Sequence, residues 1–220
     1  MAAAEEPVEV APNPRVFITN INRGQVSSPM VAGVIQSLHA DLAHGFVMAE
    51  SGPYLDAGRN RAVANALTHD SWEWLLFVDS DIEFTPEHIR VLLAPYTSGS
   101  LSPELHPIMG GVYINPFGDE GVPGEEEGSD RIGPVVYEWI TRDDLPGLEH
   151  IPTPTYRRLA RKSLAALPGF GPALPTHPDV VEVACVGTGF LALHRSFLLT
   201  MQATYPAPLP WFDEPVHLGV

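Results

Sequence analysis

Two aspartates stand one residue apart directly after the most apolar stretch of the chain. The run "LLFVDSDIEF" covers residues 75–84 and places Asp79 and Asp81 behind four apolar side chains. A buried carboxylate costs free energy unless a cation or hydrogen-bond donors compensate it, so we expect the pair at the open end of a strand, facing a cation or a ligand. In an extended chain, residues two apart point to the same side, with Cα atoms about 7 Å apart, so both carboxylates can address one ion. The alternative is a pair of solvated aspartates that cap the following helix.

Strand and helix patterns alternate around the aspartates. Strand-like runs occupy residues 15–21, 45–50, 72–84 and 108–114, and helical patterns lie at 29–42 and from near Asp56 onward. Such alternation favours a parallel sheet flanked by helices, in which ligands bind at the carboxyl ends of the strands. The sequence therefore predicts an α/β domain that carries the aspartates at its ligand-binding edge.

Two of the predicted helices have clear local signals in the sequence. The helix after the aspartates is predicted to begin with Thr85 as N-cap and Pro86 at the first helical position, with His88 where a capping box would have Glu or Gln. The first helix has apolar residues at helical spacing, which are predicted to face the core. These residues are Val31, Val34, Ile35, Leu38 and Leu42.

Composition narrows the class of protein. The chain has 220 residues, 45% hydrophobic and 18% charged, which predicts one globular domain over residues 15–220 after a flexible leader at 1–14. A formal net charge of -15 argues against general nucleic-acid binding, and no apolar run reaches the roughly 20 residues of a membrane span. The leader lacks the pattern of a secretory signal, and Cys185 is the only cysteine, so we expect a reducing, cytoplasmic location.

The segment around the aspartates resembles a known family. "LLFVDSDIEFTPEHIRVLL", preceded by "GRNRAVANAL", resembles the core of GT-A fold glycosyltransferases, in which an Asp-x-Asp motif ends a central strand and holds a metal against a nucleotide-sugar diphosphate. Residues 15–93 carry the resemblance, and "IMGGVYI" and "VGTGFLALHRSFL" resemble the second half of the family. The pattern, rich in arginine, alanine and proline, is similar to short family-2-like enzymes of actinobacteria and their phages.

The resemblance implies a fold, a cofactor and a reaction. The fold would be a GT-A (Rossmann-like) mixed, mostly parallel sheet flanked by helices, and the cofactor would be Mn²⁺ or Mg²⁺. The donor would be a UDP- or GDP-sugar, and the acceptor a hydroxyl of a glycan, a protein or a small molecule. Asp81 would be the direct metal ligand, while Asp79 would lie against the ribose and share the ion. Hard cations of this kind take oxygen ligands and often keep waters or bridge to phosphates.

Arginines near the start of the second helix are the predicted partners of the nucleotide. An acidic protein repels a diphosphate unless a metal and local arginines reverse the field, and Arg59 and Arg61 lie where free amides of a helix also favour anions. Arg59 and Asn60 resemble the Arg-Asn pair that many such enzymes place near the nucleotide; otherwise they are ordinary surface residues. The residues predicted to line the base pocket are Ser51, Pro53 and Tyr54.

Two later segments are predicted to approach the sugar or the acceptor. The glycines that flank Thr188, Gly187 and Gly189, permit a turn with close backbone approach, which is either a sugar-site loop or a plain structural turn. Trp211 and Phe212 are either an aromatic platform for a sugar ring or part of the core. The acidic, glycine-rich loop at 118–130 is a candidate lid.

The catalytic base is the least defined part of the site. Inverting family-2-like enzymes carry an acidic motif after the aromatic segment, and Asp213 and Glu214 are the acidic residues near that place, while His217 is a candidate third metal ligand. No clear copy of the motif precedes Val220. This leaves open a longer native chain, a base from a partner polypeptide, and both inverting and retaining chemistry.

Two other functions share parts of the pattern. A haloacid-dehalogenase-type phosphatase also has Asp-x-Asp after an apolar strand, with the first carboxylate as nucleophile. Here Glu83 and Phe84 follow the motif, and the sole lysine, Lys162, precedes no acidic metal motif, so the rest of that pattern is missing. A non-catalytic nucleotide-sugar-binding module would keep the donor pocket and lack the base.

Overall fold

The apolar strands of the chain come together in one mixed sheet. A computed structural model describes the backbone of residues 13–22, 24–50, 55–111, 114–115, 133–134, 136–140, 155–158, 173–174, 177–181, 185–205 and 211–212. The first half forms β1 (Val16–Asn22), α1 (Ser28–His39), β2 (Ala43–Glu50), α2 (Leu55–Ala66), β3 (Trp74–Val78), α3 (Pro86–Thr97) and β4 (Ile108–Gly110). The second half forms β5 (Ile114–Asn115), β6 (Gly133–Pro134), β7 (Val136–Ile140), β8 (Thr155–Arg158), β9 (Ala173–Leu174), β10 (His177–Val181), β11 (Cys185–Val186), β12 (Phe190–His194) and α4 (Arg195–Thr204).

The central sheet has the strand order β2-β1-β3-β12-β4. β1 pairs in parallel with β2 and with β3, whereas β12 runs antiparallel to β3 and to β4. β3 is thus the middle strand, and β12 returns beside it from the far end of the chain. Shorter pairings join β5 to β6, β9 to β10, and β7 to both β8 and β11.

Helices cover both faces of the central sheet, which confirms the predicted mixed α/β class. β1 and β3 alternate their side chains between the two faces, as strands do. On one face Val16 and Leu76 pack with residues of α1 and α3, and on the other Phe17 and Leu75 pack with residues of α2 and α4. Each fully buried large apolar side chain contributes about 1.5–3 kcal/mol to folding. Among the described residues, no helix is long and apolar enough to cross a bilayer.

The buried face of α1 differs from the predicted one. Three residues of the predicted stripe, Val31, Ile35 and Leu38, are 36%, 49% and 41% exposed. The helix instead approaches the core through Gly33, where an added Cβ would lie 2.5 Å from the carbonyl oxygen of Phe84. Because Gly33 has no side chain, α1 packs closely against the core at this residue, and its buried face is not its most apolar one. The residues of α1 that are buried are Met30, Gly33, Val34 and Ser37.

The local predictions for α3 and for the segment after it have different outcomes. α3 begins after Thr85 as predicted, and the backbone N–H of Thr85 donates to Nδ1 of His88 at 3.2 Å, so a histidine takes the place of the capping-box Glu. The strand predicted at 108–114 is not continuous, since β4 ends at Gly110 and β5 begins at Ile114. At Gly110 an added Cβ would lie 2.3 Å from Val186 Cγ2, so the close contact with Val186 leaves no room for a larger side chain at this position.

Candidate functional site

Asp79 and Asp81 lie in a tight turn at the carboxyl end of β3. The strand ends at Val78, and the backbone N–H of Ile82 donates to the carbonyl oxygen of Asp79 at 3.1 Å. The chain is therefore turned at 79–82 and not extended, so the prediction that an extended backbone points both carboxylates to one side is wrong. The side chain of Asp79 is half-buried and that of Asp81 is exposed.

The environment of Asp79 disfavours the ionised form of its carboxyl group. Burial raises its pKa, the Arg59 guanidinium lowers it, and the negative charge of Asp81 raises it again. The net direction is upward, so Arg59 does not fully compensate the cost of removing this charge from water. These interactions also show that the two aspartates and Arg59 share one region of the molecule.

Arg59 links three distant parts of the chain. It lies in the second turn of α2, and its guanidinium donates to the Thr188 hydroxyl. The guanidinium carbon lies 5.7 Å from the centre of the Phe212 ring, within the range of a cation–π contact. Of the residues predicted to bind ligand, Arg59, Asp79, Asp81 and Thr188 are thus brought together.

Asn60 is occupied by the backbone of Phe212. Its side-chain Nδ2 donates to the Phe212 carbonyl oxygen at 2.8 Å, and its Oδ1 accepts from the Phe212 N–H at 3.1 Å. The predicted role of Asn60 as a nucleotide ligand stays a prediction. What the structure adds is a contact across 152 residues that sequence spacing could not reveal.

The turn at 187–189 lies directly beside Asp79. The Gly189 carbonyl oxygen accepts from the Asp79 N–H at 2.9 Å, and Gly189 is buried at the start of β12. Since the Thr188 hydroxyl also accepts from Arg59, this turn is hydrogen-bonded to the backbone of Asp79 and to the side chain of Arg59. A role for Gly187, Thr188 and Gly189 in binding sugar stays a prediction.

The aromatic residues near the carboxyl terminus pack onto the same face of the sheet. Trp211 Nε1 donates to the Leu198 carbonyl oxygen of α4 at 3.1 Å. The Phe212 ring meets the Phe77 ring edge to face, with centroids 5.3 Å apart. Both side chains are half-buried against the core, so the structural role of these residues is clear and the sugar platform stays a prediction.

A chain of asparagines at the end of β1 was missed by the sequence reasoning. Asn20, fully buried, donates from Nδ2 to the Val78 carbonyl oxygen at 2.7 Å, and Asn22 donates to Asn20 Oδ1 at 3.0 Å. The Gly24 N–H in turn donates to Asn22 Oδ1 at 2.8 Å. This chain anchors the last residue of β3 immediately before Asp79. The signal in the sequence was two asparagines near the end of a strand whose other residues, apart from Thr19, are apolar.

Arg61 contacts the end of strand β2, whereas Arg59 lies near the aspartates. Its guanidinium donates to the Glu50 carbonyl oxygen at the end of β2, the edge strand. Beside it lies a groove of about 550 Å³ between β2 and α2. The groove is lined by Val47, Met48, Ala49, Glu50, Arg61, Ala62 and Asn65.

The described carboxylates suit a hard divalent cation. Among the described residues, no group of three or more His, Cys, Asp or Glu side chains could hold a metal. Asp79 and Asp81 are two carboxylates that could contribute to such a site, since Mg²⁺ and Mn²⁺ commonly keep water or substrate oxygens as further ligands; their role as metal ligands stays a prediction. A closed structural zinc site, which needs four protein ligands, is not formed by the part of the chain that is described.

Several predicted residues fall outside the described part of the chain, as does the predicted lid at 118–130. They are Ser51, Pro53, Tyr54, Asp213, Glu214 and His217.

Comparison with known proteins gives little. No protein-family model matches the chain, and no curated protein matches it. Among solved structures, the chain is similar to the crystal structure of A197 from STIV, with 16% sequence identity, a TM-score of 0.48, and coverage of 88% of this chain and 70% of that chain. A similarity at this level assigns neither a fold family nor a function.

Proposed function

We propose that this protein is a metal-dependent glycosyltransferase of the GT-A type, which moves a sugar from a UDP- or GDP-sugar to an acceptor hydroxyl. The observation that carries the proposal is that Asp79 and Asp81 follow the carboxyl end of the middle strand, where the turn at 187–189 is hydrogen-bonded both to Asp79 and to the Arg59 guanidinium. Ligands of open α/β sheets bind at that edge. The resemblance of "LLFVDSDIEF" to the family's Asp-x-Asp segment supports the same assignment.

Charge supports a metal-bound diphosphate as the ligand. The protein has a formal net charge of -15, so a free diphosphate would be repelled by the molecule as a whole. A divalent ion held by Asp79 and Asp81 would reverse the local field, and Arg59 would add a second positive group. The same ion would relieve the unfavourable burial of the Asp79 charge.

The roles of the residues follow from this arrangement. When bound, Mg²⁺ or Mn²⁺ would supply Lewis-acid stabilisation of the departing diphosphate. Asp79 and Asp81 would hold the ion, and Arg59 would donate hydrogen bonds to phosphate oxygens. Asp213 and Glu214 remain the candidates for the base that takes the acceptor proton.

Calorimetric titration tests the metal site. UDP and GDP are titrated into the wild type with and without Mn²⁺, and then into Asp81→Ala. We expect nucleotide binding that requires Mn²⁺ and is abolished by Asp81→Ala, because that change removes a metal ligand. Glu83→Gln is the matched control, since it removes an exposed negative charge from the same segment and should leave affinity unchanged. Unaltered affinity in Asp81→Ala would rule out the proposed site.

Product analysis separates the three candidate functions. Release of UDP or GDP from a panel of nucleotide sugars in the presence of acceptors would support the transferase. Nucleotide-sugar binding without release would instead support the non-catalytic binding module. Hydrolysis of a generic aryl phosphate, lost on Asp79→Asn, would support the phosphatase.

A further inference from the structure

The side chain of Asn60 binds one backbone unit with both of its polar atoms. The Phe212 carbonyl oxygen accepts from Nδ2 at 2.8 Å and the Phe212 N–H donates to Oδ1 at 3.1 Å. A paired contact of this kind resembles the pairing between two strands and holds the backbone in both position and direction. Asn60 is therefore built into the protein as a clamp on residue 212.

What the clamp positions is an aromatic ring beside the charged site. The Phe212 ring lies against the Phe77 ring, two residues before Asp79, and 5.7 Å from the guanidinium carbon of Arg59. Arg59 also donates to the Thr188 hydroxyl. The guanidinium is thus held between a hydroxyl on one segment and an aromatic face on another.

We propose that Asn60 is a positioning residue that fixes the Arg59 guanidinium by holding Phe212 in place, and that it does not itself bind the nucleotide. The inference rests on the proposed function only for the identity of the ligand that Arg59 meets. An arginine side chain loses rotamer entropy when a ligand fixes its guanidinium. If the folded protein already fixes the guanidinium before the ligand arrives, part of this entropy is lost during folding and not during binding, so the ligand binds more tightly.

Hydrogen exchange tests the clamp without any ligand. We expect Asn60→Ala to speed exchange of the Phe212 amide, because its acceptor is removed. Asn60→Asp should give a smaller increase, since it keeps the acceptor oxygen and loses only the donor to the Phe212 carbonyl. Asn65→Ala, the same change at an exposed position of α2, should leave that amide unaffected. Unchanged exchange in Asn60→Ala would overturn the proposal.

Double-mutant cycles test whether the clamp acts through Phe212 on Arg59. We expect Asn60→Ala and Phe212→Leu each to weaken Mn²⁺-dependent UDP binding by about tenfold, the lower part of the range for residues that orient a binding group. The double variant should be no weaker than either single variant, because both remove the same support. Additive losses of affinity in the double variant would overturn the positioning role. So would an Asn60→Ala protein whose Phe212 amide exchanges faster but whose affinity for UDP equals that of the wild type.

A ligand-free cycle keeps the proposal testable if UDP and GDP do not bind. The free energies of urea unfolding of Asn60→Ala, Arg59→Met and the double variant should then be non-additive, because the contacts of Arg59 depend on the Phe212 ring. Additive values would overturn the proposal. If the wild type binds no nucleotide but the unfolding free energies of Asn60→Ala and Arg59→Met are non-additive, the proposed function is contradicted and the positioning role still holds.

Discussion

The two ends of β3 are built in opposite ways. At its amino end Trp74 is 3% exposed, and its ring packs against Tyr96 at 4.5 Å and His194 at 4.8 Å between centroids. The Tyr96 hydroxyl donates to the His106 carbonyl oxygen at 2.6 Å, and burial raises the pKa of Tyr96 to about 12. This phenol therefore stays neutral at physiological pH, and its burial carries no cost of a charge.

At the carboxyl end the partly buried group is a carboxylate, whose ionised form is costly to remove from water. Asp79 is ionisable and half-buried, with a pKa raised by burial and by Asp81. One strand away, Thr19 is fully buried, and its hydroxyl has no hydrogen-bond partner in the described part of the protein. Poorly compensated groups of this kind concentrate where proteins bind ligands, because a site optimised for its ligand is not optimised for stability.

The contrast shows that one strand serves two purposes. Its apolar residues and its amino end supply packing energy, and that energy offsets the unfavourable charges held at its other end. Variants at the two ends should therefore change stability in opposite directions.

The largest effect is expected at the amino end. Trp74→Ala should lower the free energy of unfolding by about 3–5 kcal/mol, because it removes a buried ring and leaves a cavity. Urea unfolding followed by circular dichroism measures the loss. Trp74→Phe, which keeps an aromatic ring, should lose less and should retain Mn²⁺-dependent UDP binding. A loss of binding in folded Trp74→Phe would show that the two ends are not separable.

At the carboxyl end, Asp79→Asn should stabilise the metal-free protein at pH 7 by less than the Trp74 truncation destabilises it. The folded-state pKa of Asp79 lies above its ordinary value of 3.8, so the folded protein binds this proton more tightly than the unfolded chain. The unfavourable contribution of Asp79 is therefore full at neutral pH and disappears as the pH falls through the raised pKa to below about 3.8.

Thermal unfolding in EDTA between pH 7 and pH 4 measures this difference. The gain from Asp79→Asn should shrink toward zero at the acid end, while Glu83→Gln should show no such trend. If Asp79→Asn is less stable than the wild type at pH 7, the conclusion that the ionised Asp79 carboxylate destabilises the folded protein is wrong.

The smallest effect is expected from the ion pair beside Trp74. Arg15 and Glu73 lie 3.0 Å apart, with both side chains about half exposed, at 48% and 45%. Glu73→Gln should cost about 0.2–1 kcal/mol, since water and salt screen such pairs. The difference in urea unfolding should fall further in 1 M NaCl, where the Debye length is about 3 Å. A salt-independent loss would mean that Glu73 stabilises through packing instead.

Local sequence determined several features of this protein. The apolar run ending in Asp79 and Asp81 predicted the strand and the position of both carboxylates after it. Thr85 and Pro86 predicted the start of α3, because capping depends on residues that are neighbours in the chain. The alternation of strand and helix patterns predicted the α/β class, which depends on periodicity alone.

Tertiary structure decided what periodicity cannot encode. Gly33 and its contact with Phe84 set the buried face of α1, against the more apolar stripe of that helix. Asn60 meets Phe212 across 152 residues, and β12 returns to pair with β3, which brings Thr188 to Arg59. A residue pattern reports which side chains avoid water, whereas these contacts depend on how distant surfaces pack once the whole chain has folded.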